Sequence, residues 1–89
     1  MERNDFTDQL FDAILTLKTR EECYAFFSDA CTPKEIGAIA QRFVVAKMLN
    51  DKKVYNEIID KTGASTATIS RVSRAINKGF NLAFERVEK

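Results

Sequence analysis

Thr66, Ser70, Arg71, Arg74 and Lys78 bring hydroxyls and cations together in one short stretch, and their spacing decides what chemistry they perform. Ile69, Val72 and Ile76 recur there at intervals of three and four. A helix from about Thr66 to Lys78 would therefore bury those three and turn Ala67, Ser70, Arg71, Arg74 and Lys78 outward, with Thr66 at the exposed first turn. That outer face carries three cations and no acid. Its chemistry is hydrogen bonding and charge neutralisation, which suits the phosphates and base edges of a nucleic acid. A cationic face opposite an apolar stripe also serves merely to solvate a helix. The order of the residues favours contact: small side chains at the entering end let the helix approach base edges, and long cations farther along reach out to phosphate.

Other chemistries lack their residues. The chain has no His and two Cys, so Cys-His metal sites, four-thiolate sites and Ser-His or Cys-His catalysis are excluded. Cys23 and Cys31 stand eight positions apart and read as reduced, buried or half-buried thiols. No paired carboxylates or glycine-rich phosphate loop stands out. The expectation is a non-enzymatic protein with no metal and no cofactor. A charged start, no signal-like apolar run and no stretch of membrane-spanning length lead to an expected cytoplasmic location.

The contact face needs elements to hold it. Ile58 and Ile59 lie one turn past Val54 and Tyr55, giving an apolar stripe at helical spacing. Gly63 then ends that helix, because glycine adopts a left-handed backbone at almost no cost. Only Ala64 and Ser65 separate it from the next helix, whose first amides, at Ala67 or Thr68, the Ser65 hydroxyl is placed to cap. Asn77 and Gly79 make a stop. Two helices joined so tightly form a helix-turn-helix, here about residues 54–78, whose second helix matches the width of a DNA major groove.

The remainder reads as scaffold. Asn4 or Asp5 caps a first helix with Phe6, Leu10, Phe11, Ile14 and Leu17 along one side, ending near Lys18. Thr19 and Glu22 form a capping box for a second helix made aromatic by Tyr24, Phe26 and Phe27. Thr32 at the cap, Pro33 at the first helical position and Glu35 three on from the cap open a long third helix. Ile36, Ile39, Ala40, Phe43, Val44, Met48 and Leu49 mark its expected buried side, and a polar turn from Asn50 to Lys53 follows. Phe80, Leu82, Ala83, Phe84 and Val87 indicate a last short helix. The expected fold is all-α, six helices in a single domain over residues 1–89, with dimerisation helices at about 4–49 and 80–88.

Size and charge point the same way. With 89 residues, 45% of them apolar and seven Phe, the chain has more apolar surface than so small an interior can hold. A homodimer is the economical answer. The net charge of +1 hides an asymmetry. Residues 1–35 hold eight acids against four cations, and residues 36–84 hold eight cations against three acids. The basic part is the helix-turn-helix part, as phosphate attraction requires.

Six helices with the fourth and fifth forming the helix-turn-helix, after a Thr-Pro-Lys-Glu start to the third, resemble the Trp repressor family from Thr32 to Gly79. The segment Thr62 to Arg71, Thr-Gly-Ala-Ser-Thr-Ala-Thr-Ile-Ser-Arg, is similar to the TrpR-like group called YerC/YecD. The resemblance implies an intertwined homodimer with two reading heads about 34 Å apart on a pseudo-palindromic double-stranded operator. It implies base contacts by Thr66, Ala67 and Ser70 and a phosphate contact by Thr68. Arg74 replaces a neutral residue and is expected to strengthen backbone binding or reach a guanine.

The resemblance also implies an effector pocket, for which Thr32, Arg42 and Arg71 match the family's threonine and two arginines. The match of Arg42 requires a one-residue length difference before Val54. The pocket needs a glycine directly after the recognition-helix arginine, and this chain has Val72 there, with Ala75 in place of a serine. The expectation is that tryptophan does not bind, with Thr32 a helix cap and Arg42 a surface or interface ion. Three functions fit these residues: a DNA-binding regulator independent of tryptophan, a tryptophan-controlled repressor, and a helical module that docks a protein partner.

Overall fold

The computed structural model describes residues 1–87, and among these the chain is helical without strands. The helices are α1 (Asp5–Ile14), α2 (Arg20–Ala30), α3 (Pro33–Asn50), α4 (Tyr55–Thr62), α5 (Thr66–Ala75) and α6 (Lys78–Val87). The chain divides into two compact units, one over Met1–Ile36 and one beginning at Gly37. The expected end of the last helix at residue 88 lies outside the described residues.

In the first unit the helix starts are set by local side-chain bonds. Asn4 Oδ1 accepts from the Thr7 amide at 3.0 Å, and Thr7 Oγ1 accepts from the Asn4 amide at 3.1 Å. The helix so capped ends at Ile14, earlier than the expected Lys18, because the Thr16 and Leu17 amides turn back to Ala13 and Ile14 in tighter three-residue bonds. Thr19 caps α2 through the Glu22 amide at 3.1 Å, while Glu22 Oε1 reaches past it to the Lys18 amide at 2.8 Å. At the start of α3 the box is complete. The Thr32 hydroxyl accepts from the Glu35 amide at 3.1 Å, and Glu35 Oε1 accepts from the Thr32 amide at 2.8 Å. These bonds to the Thr32 backbone and side chain favour the ionised Glu35 carboxylate and hold its pKa below the usual range.

Neither α1 nor α2 contains a buried residue. Phe6 is 83% exposed, Leu15 81% and Tyr24 71%, and Leu10 and Phe11 also face outward. Phe26 and Phe27 are half-buried, their rings meeting edge to face at 5.1 Å. Cys23 is exposed and Cys31 half-buried, so the expectation of a covered thiol holds for Cys31 alone.

The second unit has a defined core of Val45, Ala46, Ile58, Ala64, Ile69, Val72 and Phe84, with Phe43, Met48, Leu49, Ile59, Ile76 and Phe80 packed against it. Each large aliphatic side chain buried there contributes about 1.5–3 kcal/mol. Phe43 of α3 meets Phe80 edge to face at 5.7 Å and Phe84 at 5.6 Å, which ties α6 to α3. The expected stripe on α3 needs correction. Ile39, Ala40 and Val44 are exposed, and the wholly buried residues are Val45 and Ala46. The helix is apolar on several sides, so sequence periodicity did not single out the side facing α4 and α5.

Helix α3 closes on a left-handed residue that is not glycine. Lys52 has φ 62°, its amide donates to Leu49 O at 3.0 Å, and the Lys53 amide donates to Met48 O at 3.0 Å. This is the paired closure that most helices build around glycine.

Candidate nucleic-acid interface

The turn between α4 and α5 is held by bonds that compensate for its shortness. Gly63 has φ 72° and ψ 4°, and its amide donates to Ile59 O at 2.8 Å. The Thr62 hydroxyl donates to Ile58 O at 2.7 Å and accepts from the Ala64 amide at 3.1 Å. Gln41 of α3 donates to Thr62 O at 3.1 Å, satisfying a carbonyl at the helix end. Ala64, 2% exposed, plugs the turn into the core. Helices α4 and α5 therefore pack directly against each other at a fixed crossing.

Helix α5 starts where its cap requires. Ser65 Oγ accepts from the Thr68 amide at 3.1 Å and donates to Thr68 Oγ1 at 3.1 Å. Thr68 thus accepts from the cap and keeps its own hydroxyl proton for another acceptor. Ile69 (0% exposed) and Val72 (6%) anchor the inner side, as their spacing requires. On the outer side Thr66, Ala67, Arg71 and Arg74 are exposed, as is Ser73, while Thr68 and Ser70 are half-buried. The helix presents the expected face, with one correction. It ends at Ala75, because Ile76 turns extended at φ −60° and ψ 126°, so Lys78 is the first residue of α6. Lys78 remains exposed, but on a different element from the other two cations.

Helix α4 corrects a second expectation. Ile58 is buried and Ile59 half-buried, but Val54 and Tyr55 are exposed at 60% and 39%. Val54 occupies the cap position, outside the helix, and Tyr55 opens the first turn. The Tyr55 hydroxyl lies 3.5 Å from Ser70 Oγ across the crossing. Its aromatic ring belongs to the apolar repeat in the sequence, and fifteen residues separate it from Ser70.

The residues matched to an effector pocket have these settings. Thr32 lies in the first unit and acts as the α3 cap. In the second unit Arg42 and Arg71 are exposed, and the Val72 side chain belongs to the core.

Known proteins share this architecture. A family model described as Trp repressor protein matches residues 6–87. The chain is 53% identical over 85 residues to YerC of Bacillus subtilis (strain 168), covering 92% of this chain and 82% of that protein. A crystal structure of a TrpR like protein from Eubacterium eligens superposes with a TM-score of 0.92 at 50% identity, over 97% of this chain and 92% of the other. A candidate Trp repressor from Staphylococcus aureus gives 0.91 at 48% identity, over 97% and 89%. With a family model covering nearly the whole chain, and solved relatives that superpose over 97% of it, the chain belongs to the Trp repressor protein family, a family of DNA-binding regulators.

Proposed function

We propose that this chain is a sequence-specific transcriptional regulator, a repressor, which binds double-stranded DNA as a homodimer and does so without tryptophan. The observation that carries the proposal is the outer face of α5, where Thr66, Ala67, Arg71 and Arg74 are exposed above an anchored Ile69 and Val72. Thr66, Ala67 and Ser70 read base edges, and Thr68, Arg71, Arg74 and Lys78 hold phosphates. The net positive charge of residues 36–84 supplies the long-range attraction.

The dimer is favoured by the apolar side chains left open on α1 and α2. Residues 4–49 and 80–88 build it, and the whole chain works as one domain with its twin. Helices α3 and α6 serve two purposes in this reading, since Val45, Ala46 and Phe84 also belong to the core beneath α5. Two heads about one helical turn apart, roughly 34 Å, would engage a pseudo-palindromic operator. No helix among the described residues is long and apolar enough to cross a membrane. The proposed regulator works beside DNA in the cytoplasm.

Independence from tryptophan rests on Val72. A flat indole needs bare backbone beside Arg71, and the branched side chain that follows takes that space while being held in the core. Thr32 and Arg42 then act as a cap and a surface ion, and any effector has another chemistry. Selection from a randomised duplex pool with the full chain tests DNA reading. It should return a pseudo-palindrome whose affinity falls as salt rises, with a log-log slope of about −0.9 per phosphate held. A nearly salt-independent association with another protein, and no selected duplex, would instead identify a protein-docking module. Calorimetry with L-tryptophan should show no heat of binding, and micromolar affinity would show that Val72 leaves the pocket open.

A further inference from the structure

We infer that Tyr55 is a further DNA-contacting residue: its hydroxyl and that of Ser70 form a two-pronged clamp for a single hydrogen-bond acceptor on the DNA. The inference rests on the DNA-binding reading of α5 and adds a residue from α4 to it. Tyr55 Oη and Ser70 Oγ are 3.5 Å apart, on different helices. Hydroxyl pairs that satisfy one another settle at about 2.7–2.8 Å, so this pair is held close without being closed. An acceptor atom about 2.8 Å from both oxygens fits between them, since each hydroxyl has one proton to give.

The supports are rigid where it matters. Ser70 directly follows Ile69, which is wholly buried, and Tyr55 is three residues before Ile58, also wholly buried. The α4–α5 crossing that sets the separation is fixed by the bonded turn at Thr62 and Gly63. Ser70 lies one helical turn from Thr66 and one from Arg74, so the clamp stands in the middle of the proposed contact line. A serine alone is a weak reader because its hydroxyl rotates freely. The tyrosine beside it limits that freedom and supplies a second donor.

The acceptor is either a base-edge atom or a phosphate oxygen, and the two are separable. The test uses the full-length chain, the duplex selected by the wild type, and a scrambled duplex as comparison. Tyr55→Phe and Ser70→Ala should each weaken binding to the selected duplex about 10-fold, the usual effect of one hydrogen bond to a polar or charged partner. The double variant should lose little more than either single variant, since one missing prong already disables the clamp. The salt slope should stay unchanged in all three, because no charge is removed. Ser70→Thr, which keeps the hydroxyl, should restore most of the affinity. Loss confined to the selected duplex identifies a base-edge acceptor, and equal loss on both duplexes identifies a phosphate. Wild-type affinity in Tyr55→Phe, or a double variant showing the product of the two single losses, overturns the clamp while leaving the DNA-binding reading intact. Failure of the wild type to bind any duplex overturns both.

Discussion

Arg74 lies in the last turn of α5, exposed, and one turn beyond Ser70. In the proposed reading a guanidinium so placed neutralises phosphate without reading sequence. Arg74→Ala should therefore weaken binding to every duplex and reduce the salt slope by about 0.9, one counterion's worth. Thr66→Ala changes no charge, and should instead alter which bases are preferred, by ~1–3 kcal/mol per discriminated base pair. Titrations at several salt concentrations on matched and mismatched duplexes tell the two apart, and an unchanged slope in Arg74→Ala would mean that α5 meets DNA through another side. Lys52 poses a different question. It holds a left-handed backbone at φ 62° that costs a residue bearing a Cβ about 1 kcal/mol or more. Lys52→Gly should raise the unfolding free energy by about 0.5–1 kcal/mol in denaturant titrations.

Elements in this chain start where short-range bonds dictate. Ser65→Ala removes the acceptor for the Thr68 amide and the donor to Thr68 Oγ1, and should cost about 1 kcal/mol of stability by chemical denaturation. DNA affinity should fall with it, because the first turn of α5 carries Thr66 and Ala67. At the start of α3, Glu35 has a lowered pKa from its bonds to Thr32. The stability it contributes is fully present above the ordinary glutamate range and is lost as pH falls through its lowered folded-state pKa. The difference in stability between wild type and Glu35→Gln should therefore be constant near neutrality and shrink in acid. An NMR titration should show the Glu35 midpoint moving upward in Thr32→Ala.

Such starts were legible because each involves residues within four positions of one another: Thr19 with Glu22, Thr32 with Glu35, Ser65 with Thr68, and Asn4 as one of two caps open to the first helix. The anchored side of α5 was legible because Ile69 and Val72 are its only large apolar residues before Ile76. What escaped had longer-range causes. Helix α3 is apolar around much of its circumference, so Val45 and Ala46 were distinguished only by what packs on them. Ile76 belongs to the apolar repeat yet leaves the helix, because its half-buried side chain packs on the core from an extended backbone. Tyr55 met Ser70 only once α4 and α5 had crossed.

For the whole molecule, the decisive quantity is surface. Within the first unit Phe6, Leu15 and Tyr24 stand exposed, the apolar character that the proposed dimer interface would cover. In the proposed dimer the partner would contribute to function as well as to stability, since two linked heads convert the second DNA contact into an intramolecular one. Phe6→Glu tests both consequences. Because Phe6 is 83% exposed in the chain itself, the substitution leaves the core beneath α5 untouched. In a symmetric pair it acts twice, removing roughly 3–6 kcal/mol of apolar burial per dimer. Sedimentation should then show the dimer dissociation constant rising by roughly two to four orders of magnitude. Circular dichroism should retain the helical signal of α3 to α6, and affinity for a two-half-site operator should fall toward that for a single half-site. A variant that stays dimeric at wild-type concentrations would place α1 outside the interface and leave its apolar face to some other partner.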